Sequence, residues 1–324
     1  MHNFKILRKA AAAVIVFAAV LFLSDFALYP CTFIRNDVHE VITKTYDDVF
    51  LGTSHGKMNV DPETVESVTG RTGHNLCVGG EYPADTYYLT RLMIEKGHKP
   101  SRIIYEVSPG YFISEKEEGN NYLLFYHEFP LSRAKAEYFV DSIAKCDLRT
   151  MLFPWYEYPL AGEITAIGET VSKKWNRDYT ADTFRTETQE YHASGFVERF
   201  PVDPSTFSFE GMSEYRMEDL VPENLEYLDQ LVNLCKKNEI ELVAFSSPLP
   251  AVTLRQFSNG YEAMGAFFAE WFGSRDVPFL NFNGMELYGL TDHSVERFTD
   301  LDGHMNGDAA RAFSAVLGDQ LGKC

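Results

Sequence analysis

Two short blocks carry the residue types that nucleophilic catalysis needs. One is Gly52-Thr53-Ser54-His55-Gly56; the other is Asp300-Leu301-Asp302-Gly303-His304. A serine hydroxyl is a weak nucleophile until a base takes its proton, and an imidazole base needs an acid to fix its tautomer. Ser54 is therefore the candidate nucleophile and His304 its candidate base. An aspartate lies two or four residues before His304, so Asp302 and Asp300 both stand as candidate acids. A serine on a tight turn between strand and helix exposes its hydroxyl, and the helix amides beside it can hold an oxyanion. The first block also satisfies GxSxG, the nucleophile-elbow pattern. Glycine turns often contain serine, so that block alone leaves a purely structural turn open.

The elements around these blocks decide whether they can meet. Residues 47–51 read as a short buried strand ending at Gly52. Asp61-Pro62-Glu63 reads as a helix start and Gly70 as its stop. A strand over 74–78, closed by Gly79-Gly80, a helix over 83–96 and a strand over 102–107 follow. The rhythm returns with a helix over 220–238, a strand over 240–245, a helix over 263–272, a strand over 277–280 and a last helix over 308–321. Strands alternating with helices predict an α/β fold, a three-layer doubly wound parallel sheet. In such a sheet the loops after the strands gather at one edge, which brings Ser54 within range of His304. Residues 110–215 break the rhythm and hold two aromatic runs, YLLFYHEFP (122–130) and MLFPWYEYP (151–159). They read as a helical or irregular insertion, serving as a lid, a membrane-facing surface or an extra layer of core.

The amino-terminal residues predict an anchor. Lys5, Arg8 and Lys9 precede an unbroken apolar run over 10–23, and residues 10–29 together reach the roughly 20 residues that span a bilayer. Cleavage after Ala27 would place Asp25 at the −3 position, which suits a signal peptidase poorly. Residues 1–30 therefore read as a cytoplasmic stub and transmembrane anchor, 31–45 as a linker, and 46–324 as a body held outside the cytoplasm. The net charge of −18 argues against nucleic acid as a partner. The five cysteines form no CxxC, and Asp292, His293, Asp300, Asp302 and His304 fit no zinc or calcium template. No metal or cofactor is expected.

The order of the blocks, with serine on the first strand of the body and histidine just before the last helix, resembles the SGNH/GDSL hydrolase superfamily. More narrowly it is similar to the membrane-anchored branch related to the D-alanine transfer protein of teichoic-acid modification and to extracytoplasmic polysaccharide O-acetyltransferases. The segments that carry the resemblance are YDDVFLGTSHG (46–56), NLCVGGEYPADTYYL (75–89), IIYEVSPGYF (103–112), LVAFSSPLP (242–250) and FTDLDGHMNGDAARAFS (298–314). The resemblance implies Ser54 as nucleophile, His304 as base, and the amides of Ser54 and Gly80 as an oxyanion hole. It places Val107-Ser108-Pro109 where the family carries its oxyanion asparagine, and Leu301 where the family acid stands. Asp302 matches the Asp-x-His form of some acetyltransferases in the group, which favours it over Asp300. The implied activity is an esterase or O-acyltransferase working through an acyl-Ser54 intermediate. Its partners would be an acyl donor, a cell-envelope glycan or polyol acceptor, and a membrane-bound acyltransferase. The departures from the family pattern motivate a competing expectation, a non-catalytic adaptor on the same scaffold.

Overall fold

The computed structural model describes residues 2–29, 32–116, 124–146, 167–176 and 184–324. Helix α1 (His2–Leu28) is apolar on all sides. Among the described residues it is the one helix long and apolar enough to cross a membrane; residues 4–20 are exposed, and its last turn is partly covered where Lys174 Nζ donates to the Phe26 carbonyl at 2.9 Å. Helix α2 (Phe33–Thr43) follows where a linker was expected. Ile34, Val38 and Val41 recur at helical spacing, so one face is apolar and packs into the core. The folded body thus begins before residue 46.

Strand β1 (Asp48–Leu51) is buried along its whole length. It is followed by α3 (Ser54–Asn59) and α4 (Pro62–Thr69), the latter capped by the Asp61 side chain and stopped by Gly70 in the left-handed region. Strand β2 (Gly73–Asn75) is shorter than the sequence predicts. The Asn75 side chain turns back to donate to the carbonyls of Gly56 and Val60, and only single backbone bonds from Leu76 and Val78 continue beside β1. Helix α5 (Pro83–Lys96) and strand β3 (Arg102–Glu106) complete the first half. The second half adds α6 (Arg133–Tyr138), α7 (Ile167–Asn176), the hairpin β4 (Gln189–Tyr191) and β5 (Val197–Arg199), α8 (Pro222–Lys237) and β6 (Glu241–Ser246). Helices α9 (Ala251–Gln256) and α10 (Ser258–Gly273), strand β7 (Phe279–Asn281) and helix α11 (Gly307–Leu321) close the chain.

The main sheet runs β2-β1-β3-β6-β7 with every pairing parallel. That is a doubly wound order, and its switch point lies between β1 and β3, where ligands bind in such sheets. Alternation along the strands builds two cores. Val49, Leu51, Ile103 and Tyr105 face α2, α5 and α8, while Phe50, Ile104, Val243 and Phe245 face α11. Each large side chain so buried contributes about 1.5–3 kcal/mol. The first aromatic run also belongs here: Phe125, Tyr126 and Phe129 are buried in the α5 side of the core. The second run, 151–159, lies outside the described residues.

Candidate active site

The turn after β1 is built by close approach. Gly52 has φ +134°, and a Cβ there would come within 2.7 Å of Glu106. A Cβ on Gly56 would sit 2.4 Å from Cys77 Sγ. Both glycines of the GTSHG block are thus required by packing, whatever the serine does. Between them Thr53 caps α3, and the Glu106 carboxylate accepts from the Thr53 amide at 3.0 Å and its hydroxyl at 2.7 Å. Ser54 is left as the first residue of the helix, with Gly79 close against it; a Cβ on Gly79 would lie 3.3 Å from Ser54 Cβ.

The structure brings His304 to this serine from across the sheet. Ser54 Oγ and His304 Nε2 are 2.8 Å apart. His304 Nδ1 lies 2.7 Å from Asp300 Oδ2. A carboxylate can only accept, so Nδ1 carries the proton and Nε2 presents a lone pair to the Ser54 hydroxyl. Asp300 also accepts the amides of Gly303 at 3.0 Å and His304 at 3.2 Å. Burial opposes its charged form, but the His304 ring and these two amides outweigh burial and hold its carboxyl down to about 2.

Asp300 therefore takes the place the sequence reading favoured for Asp302. The reason is the backbone. Gly303 adopts φ +115°, and Phe298 and Met305 form an antiparallel bridge, so the loop folds back on itself. The fold-back puts Asp300 beneath the imidazole and turns Asp302 outward, its side chain 54% exposed. The loop is pinned by Asn59, which is fully buried. Its amide donates to Ser247 Oγ at 2.7 Å and to the Gly303 carbonyl at 2.9 Å, and its oxygen accepts the Met305 amide at 2.8 Å. Asn59 fixes the distance between the serine helix and the histidine loop. Sequence reasoning missed it, because a lone asparagine near a helix end reads as a cap.

Gly80 differs from its expected part in an oxyanion hole. Its amide donates to the Tyr111 hydroxyl at 3.0 Å, so it can serve a substrate oxygen only by exchanging that partner. Ser108 is buried where the family asparagine was sought.

His55, adjacent to the nucleophile, is the second residue the sequence undervalued. Its ring is buried and lies 5.0 Å from the His304 ring. Its Nδ1 is 3.8 Å from Glu106 Oε1 and its Nε2 is 3.8 Å from Asp302 Oδ2. Burial disfavours its charged form, but Glu106, with Asp302 and Asp300 beyond it, outweighs burial and pushes its proton affinity up to about 9. His55 Nε2 and Glu106 Oε1 are both buried without a hydrogen-bond partner among the described residues. Asp292 and His293 lie apart from this cluster. His293 bridges the Leu249 carbonyl and Thr291, and Asp292 pairs with Ser294 and Arg297.

No family model and no curated protein matches this chain. Solved structures similar to it include a protein assigned to the G-D-S-L lipolytic family from Desulfitobacterium hafniense, at 9% identity over 85% of this chain and 99% of that one, with a TM-score of 0.38. A GDSL-like lipase from Bacteroides thetaiotaomicron is similar at 11% identity over 85% and 87%, also with a TM-score of 0.38. Likeness at that level carries no weight for activity.

Proposed function

We propose that this chain is a serine esterase or O-acyltransferase of SGNH type, anchored by α1, acting outside the cytoplasm on a cell-envelope glycan or polyol polymer. The observation that supports it is the unbroken run of contacts from Ser54 Oγ to His304 Nε2 at 2.8 Å and from His304 Nδ1 to Asp300 at 2.7 Å. In this reading His304 Nε2 takes the Ser54 proton as Oγ attacks an acyl carbonyl. The Ser54 amide serves the developing oxyanion, and the Gly80 amide joins it only by leaving the Tyr111 hydroxyl. The imidazolium, steadied by Asp300, returns the proton to the leaving alcohol. A second alcohol or water then reverses the sequence on the acyl-Ser54 ester. The basic residues Lys5, Arg8 and Lys9 favour the orientation with the body outside.

A second reading, an adaptor that binds an envelope polymer or a membrane acyltransferase without catalysis, is favoured by one observation: the Gly80 amide is occupied by Tyr111. A fluorophosphonate probe separates the two. The catalytic reading expects labelling of the full chain that disappears in Ser54→Ala, with ester hydrolysis falling by about 10⁴-fold or more. Absence of labelling, or labelling that survives Ser54→Ala, selects the adaptor.

A further inference from the structure

We propose that His55, Asp302 and His304 form a zinc-class metal site whose occupation shuts off the Ser54–His304 pair. One ligand atom from each of the three residues lies within 4.8 Å of the others. His55 Nε2 and Asp302 Oδ2, at 3.8 Å, are too far apart for a hydrogen bond. Ligands bound to one zinc ion at about 2.0–2.2 Å sit roughly 3.3–3.6 Å from each other in a tetrahedron. A small rotation of the exposed Asp302 side chain closes that difference. The buried His55 Nε2 has no hydrogen-bond partner among the described residues, and Asp302 Oδ2 lies 3.8 Å from it.

The surroundings are those of a metal-binding imidazole pair. Ligating histidines commonly present the nitrogen remote from the metal to a carboxylate, which orients the ring. Here Asp300 backs His304 Nδ1 at 2.7 Å and Glu106 faces His55 Nδ1 at 3.8 Å. Asp300 thus orients His304 to offer Nε2, while Glu106, beyond hydrogen-bond distance, acts on His55 by charge and leaves its Nε2 unpartnered. Two nitrogens and one oxygen suit zinc and its neighbours; calcium and magnesium prefer all-oxygen shells. The half-exposed Asp302 leaves the site open to solvent for entry and for a fourth ligand. Binding exchanges the His55 Nε2 proton for the ion and replaces the hydrogen bond from Ser54 to His304 Nε2. The lone pair that would accept the serine proton is then held by the metal.

The binding claim stands on geometry, whereas the inhibition rests on the catalytic reading of Ser54. Calorimetric titration of the full chain in detergent with zinc chloride tests the first. Wild type is expected to bind one equivalent more than His55→Gln, and at least tenfold more tightly at that site than Asp302→Asn. The cysteines are common to all three proteins and cancel in the comparison. Asp302 is half exposed, so Asp302→Asn folds even where His55→Gln does not. Fluorophosphonate labelling with and without zinc tests the second: zinc slows labelling of wild type, a chelator restores it, and Asp302→Asn is labelled at the same rate either way. Equal zinc binding by wild type and Asp302→Asn, or equal slowing of both, overturns the proposal. Failure of wild type to label in the absence of zinc removes the catalytic reading, and the calorimetric comparison still decides the site.

Discussion

Two buried ionic clusters flank the serine helix α3, and they are finished differently. On the α2 side, Lys57 Nζ donates to Asp37 at 2.7 Å and to the carbonyls of Asn75 at 2.9 Å and Gly195 at 2.6 Å. Asp37 accepts further bonds from Tyr191 at 2.6 Å and from His74 at 3.0 Å. Every donor of the ammonium and both oxygens of the carboxylate are used, and the atom left over is His74 Nδ1 at the edge of the cluster. On the other side, His55 and Glu106 face each other at 3.8 Å and each keeps an unpartnered buried atom. A buried charge that serves only the fold must be saturated, because each orphaned polar atom costs about 1–3 kcal/mol. The difference lies in the charged pair itself: Lys57 and Asp37 are in direct contact at 2.7 Å, whereas His55 and Glu106 stand 3.8 Å apart beside the Ser54–His304 contact. The Lys57 knot ties α2, the helix that follows α1, to the helix that carries Ser54.

Substitutions in the two clusters should separate along that line. The largest effect is expected from Asp300→Asn. Loss of the carboxylate leaves His304 free to take the wrong tautomer, and ester hydrolysis should fall by about 10⁴-fold, with the denaturation midpoint little changed. A large loss of stability with activity retained would place Asp300 with the structural knot instead. Lys57→Met should do the reverse. It strands the Asp37 carboxylate in a fully buried position and should cost about 3–5 kcal/mol in urea unfolding, without altering the residues that contact substrate.

Asn59→Ala sits between the clusters and tests both. It removes two hydrogen bonds that hold the histidine loop against α3 and a third to Ser247 Oγ after β6. A stability loss of about 1–3 kcal/mol is expected, together with a lower kcat and an unchanged KM. If kcat holds, the loop does not need Asn59 for its position. The smallest effect is expected from Glu81→Gln. Glu81 is buried and accepts from Thr86 Oγ1, while its second oxygen has no partner among the described residues. Burial lifts its carboxyl well above the ordinary range. As pH rises from below 4.5, the unfolded chain ionises this group first, so its presence lowers stability progressively. Glu81→Gln should raise the melting temperature by a few degrees at pH 8 and by less at pH 4.5, as a thermal scan at the two values will show.

Much of this architecture can be read from local pattern. Helix α5 begins at Pro83 and stops at Gly97, and α4 runs from its Asp61 cap to Gly70, because caps and left-handed glycines act within a few residues. The alternation of short apolar strands with amphipathic helices predicts the parallel sheet for the same reason. Helix α2 was equally legible in the spacing of Ile34, Val38 and Val41, but its position after an apolar anchor made it read as a spacer. Residues whose meaning is set by a distant partner were not legible. Asn59 gains its meaning from residues near 303, and the Gly80 amide is claimed by Tyr111.

From the sequence alone, Ser54 and His304 emerge as candidates, since their residue types and their places after the first strand and before the last helix are properties of the chain order. Which aspartate supports His304 could not be settled that way. Asp300 and Asp302 sit four and two residues before it, and the choice turns on Gly303 at φ +115° and on the fold-back between Phe298 and Met305. Tertiary packing alone decided that Asp300 contacts His304 and that Asp302 stands outward, 3.8 Å from His55. A reversal of direction over five residues is a product of contacts across the sheet, such as Asn59 to Gly303 and Thr253 to Leu301, and spacing does not encode them.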